Sequence, residues 1–263
     1  MRSPRQTMSR RARTAIRRAP GDGVGRATIA MIVVVLLIAT TVIGGVLWRA
    51  DQKQSATKGP IPAVTSAPDD LLVGFEPSTV SVLVGPAEAP TTIHVYEDFL
   101  CPACRRFEHR YGERLHDAVE RGEVKVAYHL VNLLDNRSDP PGYSLRAANA
   151  ALAVAVHSAP HFPDFHRSLF AAQPDQGSRG YSDNQLVGLA ERLGAVGPEL
   201  TDAITNGAKT DEIERALREA RNDPALRRTT SDGRSYFAVP TVTVNGRLVE
   251  DIQRGWLDPI SPA

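Results

Sequence analysis

The first pattern along the chain is an apolar run of 22 residues without a charge. It extends from Ala27 to Trp48 and is densest between Ile29 and Ile38. At about 1.5 Å per residue, a helix of this length reaches roughly 33 Å, which is enough to cross a bilayer. A cleavable signal would have a shorter apolar region, followed by a small-residue cleavage site. The run therefore predicts an uncleaved, single transmembrane helix over residues 27–48.

The basic residues predict how this helix is oriented. Residues 1–26 hold eight Arg and one acidic residue, so 23 basic and 29 acidic residues remain for the rest of the chain. Because flanking positive charge stays in the cytoplasm, residues 1–26 are predicted to form a basic cytoplasmic arm, with everything after Trp48 on the outer side. The mildly acidic remainder argues against nucleic-acid binding. The lack of a Gly-rich loop with an adjoining Lys and Ser or Thr excludes kinases and P-loop enzymes.

Residues 49–72 show neither a helical nor a strand period. They contain Pro60, Pro62 and Pro68 among Ser, Thr, Gln and Lys, a composition typical of a tether. We therefore expect a linker here, followed by one domain over residues 73–263.

A strand-to-helix pattern carries the two cysteines of the chain, Cys101 and Cys104. Residues 92–96 alternate apolar and polar side chains and are β-prone, which predicts a strand. After the cysteines, apolar side chains recur at helical spacing at Phe107, Tyr111, Leu115 and Val119. The Cys-x-x-Cys motif is thus predicted to lie where a strand gives way to a helix.

This placement gives the two thiols different chemistry. Cys101 falls at the helix N-terminus, where free N–H groups and the dipole lower a thiol pKa from about 8.5. Cys104 lies one turn further in, and Pro102 occupies a position where its missing N–H costs nothing. We expect Cys101 to be the attacking or attacked sulfur and Cys104 the resolving one. An inert structural disulfide is the alternative, although stabilising disulfides usually close longer loops.

A metal site is a further interpretation of a Cys-x-x-Cys pair. A structural zinc ion needs about four ligands, and the chain has no second cysteine pair. His157, His161 and His166 are near one another, but Pro160 and Pro163 interrupt any helix that would align them. We therefore predict neither a metal site nor a cofactor, and we place these histidines in loops.

The second half of the chain predicts further strands and several helices. Residues 125–130 are predicted to form a strand, and Pro240 opens a β-branched run that ends in Asn245–Gly246, a strong hairpin signal. The hundred or so residues between these segments read mostly as helices, each with one apolar face. They are indicated by a capping box and three apolar stripes: Ser182 with Gln185; Leu145, Ala148, Leu152 and Ala155; Leu186, Leu189, Ala190 and Leu193 before Gly194; and Ile213, Ala216, Leu217 and Ala220.

Two segments resemble a known family. Residues 97–104, Glu-Asp-Phe-Leu-Cys-Pro-Ala-Cys, resemble the active-site segment of DsbA-like members of the thioredoxin superfamily, especially the membrane-anchored envelope proteins of actinobacteria. Residues 237–246 resemble the strand that carries a cis-proline opposite that motif, with Val239–Pro240 at the cis dipeptide. The resemblance implies an α/β, thioredoxin-like fold with a helical insertion at about residues 140–222, preceded by the single transmembrane helix.

The resemblance also implies which residues form the site. It assigns catalytic roles to Cys101, Cys104 and Pro240, and supporting roles to Pro102, Ala103, Val239, Glu97 and Asp98.

Two departures from the family pattern matter. Many relatives have a buried acid six residues before the first cysteine, where this chain has Val95. In an alternating strand, Glu97 shares the side of Val95 and Asp98 points oppositely, so which of them assists proton transfer, if either, stays open. Only seven residues follow Trp256, so the closing helix of the fold is expected to be shortened or absent.

By resemblance, we expect a thiol-disulfide oxidoreductase held at the bacterial cytoplasmic membrane, with its catalytic domain outside. It would oxidise cysteine pairs in exported proteins without a prosthetic group, and a DsbB-like or vitamin K epoxide reductase-like membrane protein would reoxidise it. An envelope reductase or isomerase and a redox-inert anchored scaffold are the alternatives. The helix N-terminus, with Arg105 and Arg106, favours the thiolate, whereas Glu97, Asp98 and the lack of a His between the cysteines oppose it. We therefore expect an intermediate reduction potential.

Overall fold

The structure of the protein is a computed structural model that describes residues 26–55, 59–65, 71–253 and 255–260. The chain divides into two units, residues 1–49 and residues 50–263. Helix α1 (Arg26–Ser55) begins just before the apolar run and extends beyond its end, so its last residues belong to the second unit. Among the described residues, no helix meets the length and apolarity that crossing a membrane requires. The predicted basic arm lies outside the described residues, apart from Arg26.

A six-stranded sheet forms the centre of the second unit. Its strands, in spatial order, are β1 (Val73–Glu76), β2 (Ser81–Val84), β4 (Val124–Leu130), β3 (Thr91–Glu97), β7 (Thr241–Val244) and β8 (Arg247–Leu248). Strands β3 and β4 are parallel, and every other neighbouring pair is antiparallel. A separate two-stranded ribbon is formed by β5 (Arg228–Thr229) and β6 (Ser235–Tyr236). The predicted strands before the cysteines, at 125–130 and after Pro240 are confirmed.

Strand β3 positions the site because it lies between β4 and β7. Val95 is paired with Tyr128 on one side and with Val242 on the other. Ile93, Val95 and Glu97 are all buried, as the alternation predicts for one face of the strand. The buried face therefore ends in a carboxylate, next to the cysteines.

Helix α2 (Pro102–Glu120) follows β3 and covers the sheet. It buries Cys104 and the apolar stripe predicted from the sequence, Phe107, Tyr111, Leu115 and Val119. Cys101 is the N-cap residue and has extended backbone angles, and a proline opens the first turn. The strand-to-helix placement of the motif is thus confirmed.

Five helices occupy the region between β4 and the ribbon: α3 (Tyr143–His157), α4 (Phe162–Ala171), α5 (Asp183–Arg192), α6 (Pro198–Thr205) and α7 (Thr210–Asn222). The capping box predicted from Ser182 and Gln185 is present at the start of α5. Helix α5 gives way at Gly194, whose φ of +92° suits glycine. Helix α7 buries the predicted apolar stripe.

Helix α3 differs from the one-sided helix that the sequence predicts. It contacts α4, α5, α6, α7 and β1, and its buried residues lie on nearly every side. The cause is its alanine content: small side chains allow several elements to approach the same helix closely. The insertion therefore has a central helix with the others packed around it.

The predicted linker also differs in part. Within the described residues 59–65, Ile61 is 0% exposed. The amide of Val64 donates to Ser168 Oγ at 2.8 Å, and Arg192 Nη2 donates to the Ile61 carbonyl at 2.8 Å. This segment therefore packs on α4 and α5 instead of acting as a free tether.

The C-terminal segment follows the last strand of the sheet. Among the described residues after β8, 249–253 and 255–260, the backbone forms turns and no helix. Leu257 is nonetheless fully buried, and Trp256 stacks against Phe107 of α2.

Candidate active site

The two cysteines lie at the junction of β3 and α2 as free thiols. The Cys101 amide donates to the Asp98 carbonyl at 2.9 Å, which closes a turn at the helix start. Cys101 is 5% exposed and Cys104 is 0% exposed, so only the first sulfur can be reached from solvent. This asymmetry is the one that the sequence predicts.

The pKa values of the two thiols move in opposite directions. The Cys104 thiol donates a hydrogen bond that lowers the pKa of Cys101 to about 7, and the backbone N–H groups of Ala103 and Cys104 add to this effect. Burial and the nearby Asp98 charge oppose it. Burial, followed by the proximity of Cys101, raises the pKa of Cys104 well above its usual range. Near neutrality Cys101 is therefore divided between thiol and thiolate, whereas Cys104 holds its proton.

Strand β7 and helix α4 complete the surroundings of Cys101. The Val239–Pro240 peptide bond is cis, and Cys101 Sγ donates to the Val239 carbonyl at 3.4 Å, so both predictions for this dipeptide are confirmed. From the other side, Gln173 Nε2 donates to the Cys101 carbonyl at 3.0 Å. Cys101 is thus held between Val239, which precedes the cis-proline, and Gln173, which follows α4.

Asp98 is buried, and its carboxylate holds the active-site loop in place through hydrogen bonds. Its carboxylate accepts hydrogen bonds from the Leu100 amide at 2.8 Å, the Leu134 amide at 2.7 Å and Ser144 Oγ at 2.7 Å. Burial raises its pKa to about 6 against these hydrogen bonds. With every partner in a loop or in α3, Asp98 ties the active-site turn to the start of the insertion.

Glu97 belongs to a buried group that we call the acid–imidazole cluster, consisting of Glu97, Glu108 and His166. His166 Nε2 lies 2.9 Å from Glu97 Oε2, and His166 Nδ1 lies 3.9 Å from Glu108 Oε2. Burial raises the pKa of Glu97 to about 8, and burial with the Glu97 charge raises that of Glu108. Burial lowers the pKa of His166. The cluster therefore holds protons on its carboxyl groups near neutrality.

The cluster has a path to solvent. Glu108 and His166 line a cavity of about 710 Å³ between α2 and α4. The Glu97 charge is near enough to Cys104 to raise the pKa of that thiol. Glu97 thus lies between the resolving cysteine and a cavity, and it is the better placed of the two acids that the sequence left open.

Two carboxylates and an imidazole are also a donor set that could hold a divalent cation, and within the described part of the chain this is the one group so arranged. The direct 2.9 Å contact between His166 and Glu97 instead describes groups that share a proton.

No sequence pattern points to Glu108 or His166, and the placement of His157 and His166 in loops is wrong, because His157 is the last residue of α3 and His166 lies in α4. Pro163 does not interrupt a helix here, since it lies in the first turn of α4 and His166 follows on that helix. Proline is tolerated in a first turn, and this signal could have placed His166 on a helix. No pattern in the sequence predicts that α4 would face β3 and α2.

Comparisons with known proteins agree with this geometry. A profile of the thioredoxin family matches residues 78–255. Over 131 residues, the chain is 35% identical to the serine/threonine-protein kinase PknE of Mycobacterium tuberculosis, a match that covers 48% of this chain and 23% of the kinase. The chain therefore spans about a quarter of the length of the kinase relatives that it matches.

Solved structures give the same result. Reduced DsbA from Mycobacterium tuberculosis is 30% identical, with a TM-score of 0.55 over 65% of this chain and 85% of that one. MdbA, a thiol-disulfide oxidoreductase from Corynebacterium matruchotii, shares the fold at 23% identity, with a TM-score of 0.60 over 81% of this chain and 100% of that one. The family match and the likeness to DsbA show that the chain belongs to the thioredoxin family and is a DsbA-like member of it.

Proposed function

We propose that the protein is an extracytoplasmic thiol-disulfide oxidoreductase that introduces disulfides into exported proteins by exchange at Cys101 and Cys104. The observation that carries the proposal is the asymmetric thiol pair: Cys101 has a pKa of about 7 at the N-terminus of α2, and Cys104 is buried and protonated. An inert structural disulfide has no need of this difference.

The exchange proceeds in two steps. In the oxidised protein, a substrate thiolate attacks Cys101 Sγ, a mixed disulfide forms and Cys104 leaves. A second substrate thiolate then attacks the substrate sulfur of the mixed disulfide, and Cys101 leaves as a thiolate. The substrate is oxidised by two electrons and the cysteine pair is reduced by the same two. The Val239 carbonyl, 3.4 Å from Cys101 Sγ, is placed to pair with an extended substrate backbone.

The leaving Cys104 sulfur needs a proton, because its pKa lies above the usual range. We assign this donation to Glu97, which carries a proton up to about pH 8 and interacts electrostatically with Cys104. His166 and Glu108 then connect Glu97 to the cavity between α2 and α4, from which the proton is replaced. Pro102, Ala103 and Asp98 keep supporting roles in the shape of the turn.

The location and partners are also part of the proposal. The 22-residue uncharged run, with eight Arg before it, supports a single-pass anchor at the bacterial cytoplasmic membrane with the amino terminus inside. Cysteine-containing exported proteins would be the substrates, and a DsbB-like or vitamin K epoxide reductase-like membrane protein would reoxidise the pair.

Oxidation of a reduced, unfolded protein tests the activity. The oxidised protein should remove substrate thiols, and Cys101→Ser and Cys104→Ser should abolish this activity. Glu97→Gln should slow the opening of the disulfide by about tenfold. Complete activity of Cys101→Ser would contradict the site, and an unchanged rate in Glu97→Gln would remove Glu97 from the mechanism.

The reduction potential separates oxidase from reductase. A reductase is the second candidate because the Asp98 charge opposes the Cys101 thiolate. Equilibration with glutathione buffers should give a potential between about −120 and −270 mV, nearer the first value. A potential at or below about −270 mV would favour the reductase. One below about −300 mV, with resistance to exchange, would favour the scaffold.

A further inference from the structure

A second groove opens directly beside the reactive thiol. Its walls are the exposed side of the first turns of α2 and the segment 173–176 that follows α4, and it encloses about 720 Å³. Pro102, the neighbour of Cys101, forms one end, and Gln173 connects the opposite wall to the Cys101 carbonyl. A chain joined to Cys101 Sγ would therefore have this groove within reach.

The groove is strongly basic, and we call it the arginine groove. Arg105, Arg106 and Arg110 line it together with His109, and Asp175 is its one acidic lining residue. All three arginines are exposed, and in the described part of the chain no carboxylate lies within ion-pair distance of them. The rest of the chain beyond the basic arm is acidic overall, with 29 acidic and 23 basic residues. The positive charge here is thus a local exception.

The position of these arginines is unfavourable for the helix itself. The N-terminus of a helix carries a partial positive charge and favours acidic side chains nearby. The first turn of α2 has no acidic residue, and Arg105 and Arg106 follow it directly. Further along α2, by contrast, Arg114 pairs with Asp258 at 2.9 Å. The three arginines and the N-terminus of α2 therefore all favour the binding of an anionic group from another molecule.

We propose that the arginine groove binds an acidic polypeptide segment next to the reacting cysteine of a substrate. Guanidinium groups bind carboxylates through paired hydrogen bonds, and an attractive field raises the rate of encounter. The inference rests on the proposed exchange and adds to it a substrate class, thiol proteins with Asp or Glu near the cysteine. The exchange step is unchanged: the substrate thiolate attacks Cys101 Sγ, and Cys104 leaves and takes up a proton.

Binding without chemistry tests the groove independently of the redox reaction. The probes are fluorescent 12-residue peptides with Ser at the central position and four Glu or four Lys residues beside it. Fluorescence anisotropy with the full-length protein should show about tenfold tighter binding of the Glu peptide at low salt. The preference should disappear near 1 M salt, where the screening length falls to about 3 Å. Equal binding of the two peptides at low salt would overturn the proposal.

Matched variants locate the effect. The change R105Q/R106Q/R110Q should abolish the preference, whereas R215Q/R218Q/R221Q, which removes three exposed charges from α7, should retain it. Equal losses in both variants would mean that net charge alone is responsible and would overturn the groove. Binding of phosphatidylglycerol vesicles through the same three arginines, without peptide preference, would overturn it in favour of a membrane surface.

The same peptides with Cys in place of Ser extend the test to exchange. Rates of mixed-disulfide formation with the oxidised protein are divided by rates with the uncharged 2-hydroxyethyl disulfide, because neighbouring charges alter the peptide thiol itself. The Glu peptide should react about tenfold faster than the Lys peptide at low salt. Failure of both peptides to react, with the anisotropy preference intact, would refute the exchange activity and leave the groove standing. Equal corrected rates would refute its role in substrate choice.

Discussion

At the scale of single residues, the buried network around the cysteines divides into two parts. Asp98 is bonded to the backbone and to Ser144, so its carboxylate is occupied with loop structure. Glu97 instead shares its proton with His166, and one oxygen each of Glu97 and Glu108 has no hydrogen-bond partner. Adjacent acids in the sequence therefore have different tasks, because one ends a strand and the other begins a turn.

The thiol assignment predicts a specific labelling pattern. Alkylation of the reduced protein across pH should show Cys101 titrating near pH 7, while Cys104 stays unreactive because it is buried and protonated. Cys104→Ser should accumulate mixed disulfides on Cys101, and Cys101→Ser should trap almost none. Faster labelling of Cys104 in the native protein would reverse the assignment.

The raised pKa of Glu97 predicts how stability depends on pH. The folded protein keeps this proton up to about pH 8, whereas an ordinary glutamate loses it near 4.5. Stability from this group is therefore complete below pH 4.5 and is lost as pH rises toward 8. Glu97→Gln should remove the loss, so the variant gains roughly 2–4 kcal/mol relative to the natural protein between pH 5 and pH 8. Urea unfolding at several pH values measures this, and parallel curves would contradict it.

At the scale of elements, α3 determines how the insertion packs. Ala151 is fully buried at the centre of this helix. Ala151→Leu should lower the free energy of unfolding by about 1–3 kcal/mol, because the neighbouring elements leave no room for three more carbon atoms. The same change at exposed Ala171 should have an effect below about 0.5 kcal/mol. Similar losses at both positions, measured by urea unfolding, would show that α3 is not tightly packed.

Elements with their own local signals could be predicted from the sequence. The strand before the cysteines, α2 and the capping box of α5 depend on periodicity and caps, which short stretches of chain contain. The all-round burial of α3 and the contact of His166 with Glu97 depend on how separate elements meet. Glu97 and His166 are 69 positions apart, and no local pattern carries information over that separation. The position of the cis-proline opposite the two cysteines could be predicted only because the family resemblance supplied this tertiary contact.

At the scale of the whole molecule, the charge distribution predicts its orientation. An alkaline phosphatase reporter fused to the carboxyl terminus should be active, because this enzyme needs export and we propose that the arginines of residues 1–26 hold the amino terminus inside. A cytoplasmic reporter fused at the same place should be inactive. The opposite pattern would overturn the orientation, and with it the access to exported substrates.

The docking of residues 59–65 has a consequence for where the autonomous folding unit begins. The sheet starts at Val73 and the family match at residue 78, yet a fully buried side chain of this unit, Ile61, lies upstream of both. A fragment of residues 71–263 would lack the Ile61 side chain and would expose the apolar surface of α4 and α5 that this side chain covers. It should melt on the order of 5–10 °C below a fragment of residues 59–263, and Ile61→Ala in the longer fragment should account for much of the difference. Equal melting temperatures would show that the segment only rests on the surface. On this prediction, a single isoleucine upstream of the family match sets where the folding unit begins.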